Sequence, residues 1–211
     1  MDDRLKVSVI YYSATGTIAE LARTIADEAE KSQAEVRLRK VVEFAPEGLI
    51  DANPAWRANV DATQDVPVAT PDDTVWADAV IFGSPTRYGN VSAQLKFYLD
   101  SLGAPWREGL LKDKIYSGFT ASSTKHGGQE TTLVALYNTI HHFGGIVVAP
   151  GYTDPTKFVD GNPYGTSHVS AQGKNPVDDT ARTAAAVQAR RVVSIATALR
   201  DGLADGSPGL E

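Results

Sequence analysis

Val7-Ser8-Val9-Ile10-Tyr11-Tyr12-Ser13-Ala14-Thr15-Gly16-Thr17-Ile18 is the stretch that decides the fold. The β-rich run Val7 to Tyr12 passes through a short loop of small and hydroxylated residues into a helical pattern. In that pattern Ile18, Leu21, Ala22, Ile25, Ala26 and Ala29 recur at the spacing of one buried helix face. Outward from this unit the alternation repeats. Val36 to Val42, Val80-Ile81-Phe82, Ile115 to Thr120 and Ile146 to Ala149 read as further strands. The short, wholly apolar Val80-Ile81-Phe82 is what a strand buried on both faces looks like. Between them, Val91, Leu95, Tyr98, Leu99 and Leu102 keep helical spacing, as do Leu133, Leu136, Tyr137 and Ile140. A last helix is expected from Asp178 to Asp201, with Val192, Ile195, Ala196 and Leu199 inward and Gly202 at its end. Five strands alternating with helices predict an α/β fold: a doubly wound parallel sheet in the order 2-1-3-4-5, with helices on both faces and right-handed crossovers.

Two segments exceed the minimal pattern. Phe44 to Trp76 is rich in Pro, Asp and Asn, and Gly151 to Pro176 in Gly, Pro and Ser. Both read as long loops outside the core. They carry Trp56, Tyr152, Phe158 and Tyr164, aromatics of the kind found at subunit interfaces. Residues 1–205 are expected to form one domain, followed by a disordered tail at 206–211.

Composition narrows the function. The chain has 211 residues, 42% hydrophobic and 22% charged, so it can build a well-buried core. Its net charge is −6 with no basic cluster, which argues against nucleic acid. No apolar run is long enough for a membrane helix, and the polar start Met1-Asp2-Asp3-Arg4 does not read as a signal peptide. There is no cysteine, so disulfides, thiol redox chemistry and iron–sulfur clusters are excluded. Any redox work therefore needs a bound cofactor. The expected location is cytoplasmic. No metal site is expected: His141 and His142 are adjacent and point apart on a helix, and no H-E-x-x-H occurs.

In an open parallel sheet, ligands bind beyond the carboxyl ends of the strands. Three loops occupy that edge. Ser13-Ala14-Thr15-Gly16-Thr17 follows the first strand and opens a helix, where N–H groups and the helix dipole favour an anion. Without Lys or Arg, it suits a phosphate held by neutral donors. The competing reading is a simple helix cap, for which one hydroxyl suffices. No P-loop and no G-x-G-x-x-G is present. Gly83-Ser84-Pro85-Thr86-Arg87-Tyr88-Gly89-Asn90 follows the third strand and places a cation, Arg87, at the edge. Ser122-Ser123-Thr124-Lys125-His126-Gly127-Gly128-Gln129-Glu130 follows the fourth, with glycines that free backbone donors.

Taken with His142 and Pro163-Tyr164-Gly165, these loops resemble the WrbA-type NAD(P)H:quinone oxidoreductases of the flavodoxin-like superfamily, over roughly Lys6 to Asp201. The resemblance implies FMN as cofactor and a homotetramer. It implies that Ser13, Ala14, Thr15, Gly16, Thr17 and Ile18 hold the FMN phosphate. Thr86, Arg87 and Tyr88 would line the flavin ring. Ser122, Ser123, Thr124, Lys125, His126 and Gly127 would hold its pyrimidine end and ribityl chain. His142 would stand near the flavin's polar edge, and Trp106 would border the substrate pocket. Two positions depart from the pattern: Thr15 stands where many relatives have an aromatic, and Ile18 where a hydroxyl is usual. The reaction implied is ping-pong, NAD(P)H and a quinone using one pocket in turn, with Arg87 and His142 as catalytic groups. A one-electron carrier of the flavodoxin type and a non-catalytic flavin-binding interaction module remain the alternatives.

Overall fold

The computed structural model describes residues 4–204. In chain order the elements are β1 (Lys6–Tyr11), α1 (Thr17–Lys31), β2 (Glu35–Lys40), α2 (Glu47–Asp51), α3 (Pro54–Ala62), α4 (Pro71–Trp76), β3 (Ala79–Pro85), α5 (Ala93–Ser101), α6 (Gly103–Arg107), β4 (Ile115–Ser122), α7 (Gln129–Phe143), β5 (Ile146–Val147), α8 (Pro155–Asp160), β6 (Thr166–Val169), a 3₁₀ turn (Ala171–Gly173) and α9 (Asp179–Ala204). The strands form one parallel sheet in the order β2-β1-β3-β4-β5, with β6 also paired to β4. The expected order is thus present, with one strand more.

Strand alternation divides the core into two layers. Val7, Val9, Ile81 and Phe119 face the side covered by α1 and α9, where Ile18, Leu21, Ile25, Ala185 and Val192 pack. Ile10, Val80, Phe82 and Tyr116 face the other side, against Leu95, Leu99, Leu133, Leu136 and Ile140. Successive strand residues point to opposite faces, so strands apolar throughout are buried on both. Each fully buried Ile or Leu among them stabilises by roughly 1.5–3 kcal/mol.

Three expectations need correction. The two long segments are not loops: Phe44–Trp76 holds α2, α3 and α4, and Gly151–Pro176 holds α8, β6 and the 3₁₀ turn. Strand β6 has a clear reason to exist. The eight-residue β4 meets β5 only at Ile115 and Tyr116, which leaves its second half without a neighbour on that side. Residues 166–169 fill that edge opposite Phe119 to Ser122. Finally, α9 starts where expected, with the Asp178 carboxylate accepting the Ala181 N–H at 2.8 Å, but it runs through Gly202 and leaves Ile195 on its exposed side. The expected tail, 206–211, lies outside the described residues.

Candidate functional site: a cavity at the carboxyl edge of the sheet

A cavity of about 550 Å³ opens where β1, β3 and β4 end. That is within the usual size range for a small-molecule site. Its walls include Ser13, Ala14, Thr15, Thr17 and Ile18 after β1, Pro85, Thr86 and Arg87 at the end of β3, and Ser122, Ser123, Thr124 and Gly127 after β4. Among the described residues lining it, Arg87 is the only charged one.

The first loop is not a simple helix cap. Gly16 is the N-cap of α1 with φ +98°, and no side chain caps the helix. The Ser13 hydroxyl accepts the Gly16 N–H at 3.1 Å, which curls the loop. The first N–H groups of any helix lack intrahelical partners, and here the residues that bear them, Thr17 and Ile18, line the cavity. Neutral N–H donors, nearby threonine hydroxyls and a helix N-terminus fit a phosphate monoester. Ile18 is 2% exposed and its side chain belongs to the core, so this position can offer a ligand only its backbone.

The other two loops hold each other. The Thr86 hydroxyl donates to the Gly127 carbonyl at 3.1 Å, accepts the Gly89 N–H at 3.2 Å, and is 2.8 Å from the Thr132 hydroxyl. That hydroxyl is therefore a loop clamp, on a residue that also lines the cavity. Tyr88 and Gly89 both have positive φ, +55° and +78°, which closes a tight hairpin between Arg87 and Asn90. Gly128, at φ +88°, packs directly on Gly89.

Several expected residues stand elsewhere. Tyr88 is fully exposed at the hairpin tip, and Lys125 and His126 are exposed on the β4–α7 loop. None of the three lines the cavity. Gly16 does not line the cavity and, as the left-handed N-cap of α1, shapes the loop. His142 and Trp106 lie at the far end of α7, a helix roughly 20 Å long. The Trp106 indole N–H donates to the His142 carbonyl at 2.7 Å, and both residues are exposed. Within one chain they do not reach the cavity, because the carboxyl edge meets the start of α7 and these residues cluster at its end.

The structure also adds walls that were not anticipated. Asn53 and Ala55, at the start of α3, line one side. The Asn53 side chain accepts the Ala55 N–H at 3.1 Å, and the Asn59 amide donates to the Ser13 carbonyl at 2.8 Å. Ser170, Gln172 and Gly173 close the opposite side. Ser170 donates its N–H to the Ser122 carbonyl at 2.8 Å, and Ala171, Gln172 and Gly173 all have positive φ. Two consecutive non-glycine residues in that region are strained, a feature concentrated at ligand sites. The Pro-Asn and Gly-Ser richness of the two long segments was the available signal, but it did not say which residues turn inward.

Among the described residues no group of acidic, His or Cys side chains could hold a metal, and no helix is long and apolar enough to cross a membrane.

Comparison with known proteins agrees with this architecture. Residues 5–155 match the model of the family described as "NADPH-dependent FMN reductase". The chain is 43% identical over 196 residues to a Deinococcus radiodurans protein named "NAD(P)H dehydrogenase (quinone)", covering 92% of this chain and 97% of that one. A protein of the same name from Aromatoleum aromaticum is 37% identical over 207 residues, covering 95% and 100%. Among solved structures, a WrbA-like flavodoxin from Agrobacterium tumefaciens superposes with a TM-score of 0.66 at 23% identity, covering 92% of this chain and 98% of that one. The last match speaks for the flavodoxin-like fold alone; with the sequence matches beside it, the chain belongs to the NADPH-dependent FMN reductase family.

Proposed function

We propose that this protein is an FMN-dependent NAD(P)H:quinone oxidoreductase working in two-electron steps. The observation that carries the reading is the uncapped start of α1 opening onto a cavity in which, among the described residues, Arg87 is the only charged one lining it. A phosphate would be held by the N–H groups and hydroxyls of Ser13 to Ile18. The flat ring would lie between the β3 and β4 loops, with Ser122 to Gly127 offering backbone and hydroxyl partners. FMN, when bound, supplies a group that accepts a hydride and returns two electrons. Arg87 contributes positive charge where negative charge develops on reduction. NAD(P)H and the quinone would take the same open side of the cavity in turn. The clamped loops orient each against the ring.

The reading includes a homotetramer and a cytoplasmic location. His142 and Trp106 stand away from their own cavity yet share one exposed corner, which suits completion of a neighbour's pocket. There His142 would donate a hydrogen bond or a proton to the quinone oxygen, and Trp106 would border the substrate. Exposed, stacked Tyr152 and Phe158, with ring centroids 5.0 Å apart, offer an apolar contact surface of the kind interfaces use.

The test is anaerobic stopped-flow with NADH, NADPH and benzoquinone on FMN-loaded protein, beside chromatography of heat-released cofactor. Released FMN and rapid two-electron turnover support the reading. Released FAD, or protein that ignores added FMN, refutes the cofactor. Tight FMN binding without NAD(P)H-dependent quinone reduction makes the chain an electron carrier.

A further inference from the structure

Glu43, just beyond the end of β2, is the centre of a polar hub that the functional reading does not use. Its carboxylate accepts five hydrogen bonds. Oε1 takes the Phe44 N–H at 3.0 Å, the Ala45 N–H at 2.9 Å and the Gln94 amide at 3.0 Å. Oε2 takes the Tyr12 hydroxyl at 2.8 Å and the Trp56 indole N–H at 3.1 Å. Gln94 also donates to the Tyr12 hydroxyl at 3.1 Å, so the three side chains form a closed ring. Hydrogen bonds to an ionised acceptor are roughly twice as strong as neutral ones. Burial works against this charge. The hydrogen bonds from the Ala45 N–H, Gln94, Tyr12 and Trp56 outweigh it and hold the carboxyl below its ordinary value.

The donors come from three places around the cavity. Tyr12 immediately precedes Ser13 and is 3% exposed. Gln94 lies on α5, which follows the Arg87 hairpin. Trp56 lies on α3, whose start forms the Asn53–Ala55 wall. Helix α3 fully buries no apolar side chain, its one buried residue being the polar Asn59, and Arg57 ties it to Glu47 and Asp51 of α2. A surface helix normally docks by an apolar stripe. Here the docking toward the cavity loop is by polar staples, Glu43 to Trp56 and Asn59 to the Ser13 carbonyl.

We propose that Glu43 is a positioning residue of the cofactor site, holding α3 in register with the Ser13–Thr17 loop and so setting one wall of the cavity. Its effect on FMN rests on the cofactor reading above; its hold on α3 does not.

Glu43→Gln tests both, because it keeps the shape but turns an NH₂ donor toward groups that are themselves donors. Amide hydrogen exchange should quicken across 53–62 by roughly 10- to 100-fold, the loss of bonds to a charged acceptor, while β1, β3 and β4 keep their protection. FMN should leave the loaded variant about tenfold faster. Trp56→Phe, a milder change, should move both readouts in the same direction, and the double variant should be no worse than Glu43→Gln alone. Unchanged exchange at 53–62, equal loosening of every strand, additive effects in the double variant, or unchanged FMN release would overturn the proposal. If the unaltered protein takes up no FMN, the functional reading falls, and the exchange comparison alone decides whether Glu43 holds α3.

Discussion

The Trp106 indole N–H donates to the carbonyl of His142 at 2.7 Å, which locks the α6 residue to the end of α7 and places both side chains on one exposed corner. The cavity lies at the other end of α7, and neither residue lines it; under the proposed function the pair would complete a neighbouring subunit's pocket. Quinone reduction per chain should fall when the protein is diluted below its assembly range, while the fold persists. Mixing an Arg87→Ala variant with a His142→Ala variant should restore part of the activity, since some mixed pockets combine one intact cavity with one intact corner. Sedimentation and activity over the same concentrations check the first. A monomer with full specific activity would refute the idea.

Gly128 and Gly89 touch backbone to backbone. A methyl on Gly128 would stand 2.9 Å from Gly89 Cα, and its φ of +88° disfavours any side chain. Gly128→Ala should therefore cost about 1–3 kcal/mol and spread the β3 and β4 loops. Gly48, in α2, is the contrast. An added methyl there meets nothing within 4 Å, so Gly48→Ala should be neutral or stabilise by up to about 1 kcal/mol. Urea midpoints at constant m-value compare the two.

Stability toward acid should carry the signature of Glu43. Its folded-state carboxyl lies below the ordinary 4.5, because hydrogen bonds outweigh the effect of burial. A depressed carboxylate contributes stability that is complete above its unfolded value and is lost as pH falls through the folded one. The native protein should thus lose this contribution progressively below about pH 4.5, with Asp73 adding to the same limb because its bonds from Thr70, Arg39 and Arg37 likewise outweigh burial. Glu43→Gln should be less stable at neutral pH and show a flatter acid limb. Thermal unfolding from pH 3 to 7 measures the slopes; parallel curves would contradict the assignment.

Lys157 and Asp160 form an ion pair whose side chains are 0% and 2% exposed, with the ammonium also 3.3 Å from the Gly165 carbonyl. Burial pushes the lysine down and the aspartic acid up from their ordinary values. Removing one partner strands the other charge. Asp160→Asn should cost about 3–5 kcal/mol, whereas replacing both residues by apolar ones of similar volume should cost far less. Chemical denaturation of the single and double variants decides this, and a harmless Asp160→Asn would show that the pair does not hold α8 in place.

What the sequence determined is what depends on neighbours along the chain. The unit Val7 to Lys31 reads as strand, loop and helix because period and loop chemistry are local properties, and the same logic yields β3, β4, α5 and α7. The order of the sheet follows from alternation and crossover rules, and the three loops at its carboxyl edge were legible as a site because each follows its strand directly. Tertiary structure alone decided the rest. The Asn59 amide reaches Ser13 across 46 residues and the Ser170 hydroxyl reaches Ser122 across 48; no pattern within either long segment announces such a partner. Strand β6 exists because β5 stops short beside β4, which is a fact about the sheet and not about residues 166–169. Trp106 and His142 do not line the cavity of their own chain, since a helix of fifteen residues separates its two ends whatever its sequence. Local periodicity specifies elements, whereas the walls of a cavity are set by which distant elements the packing brings together.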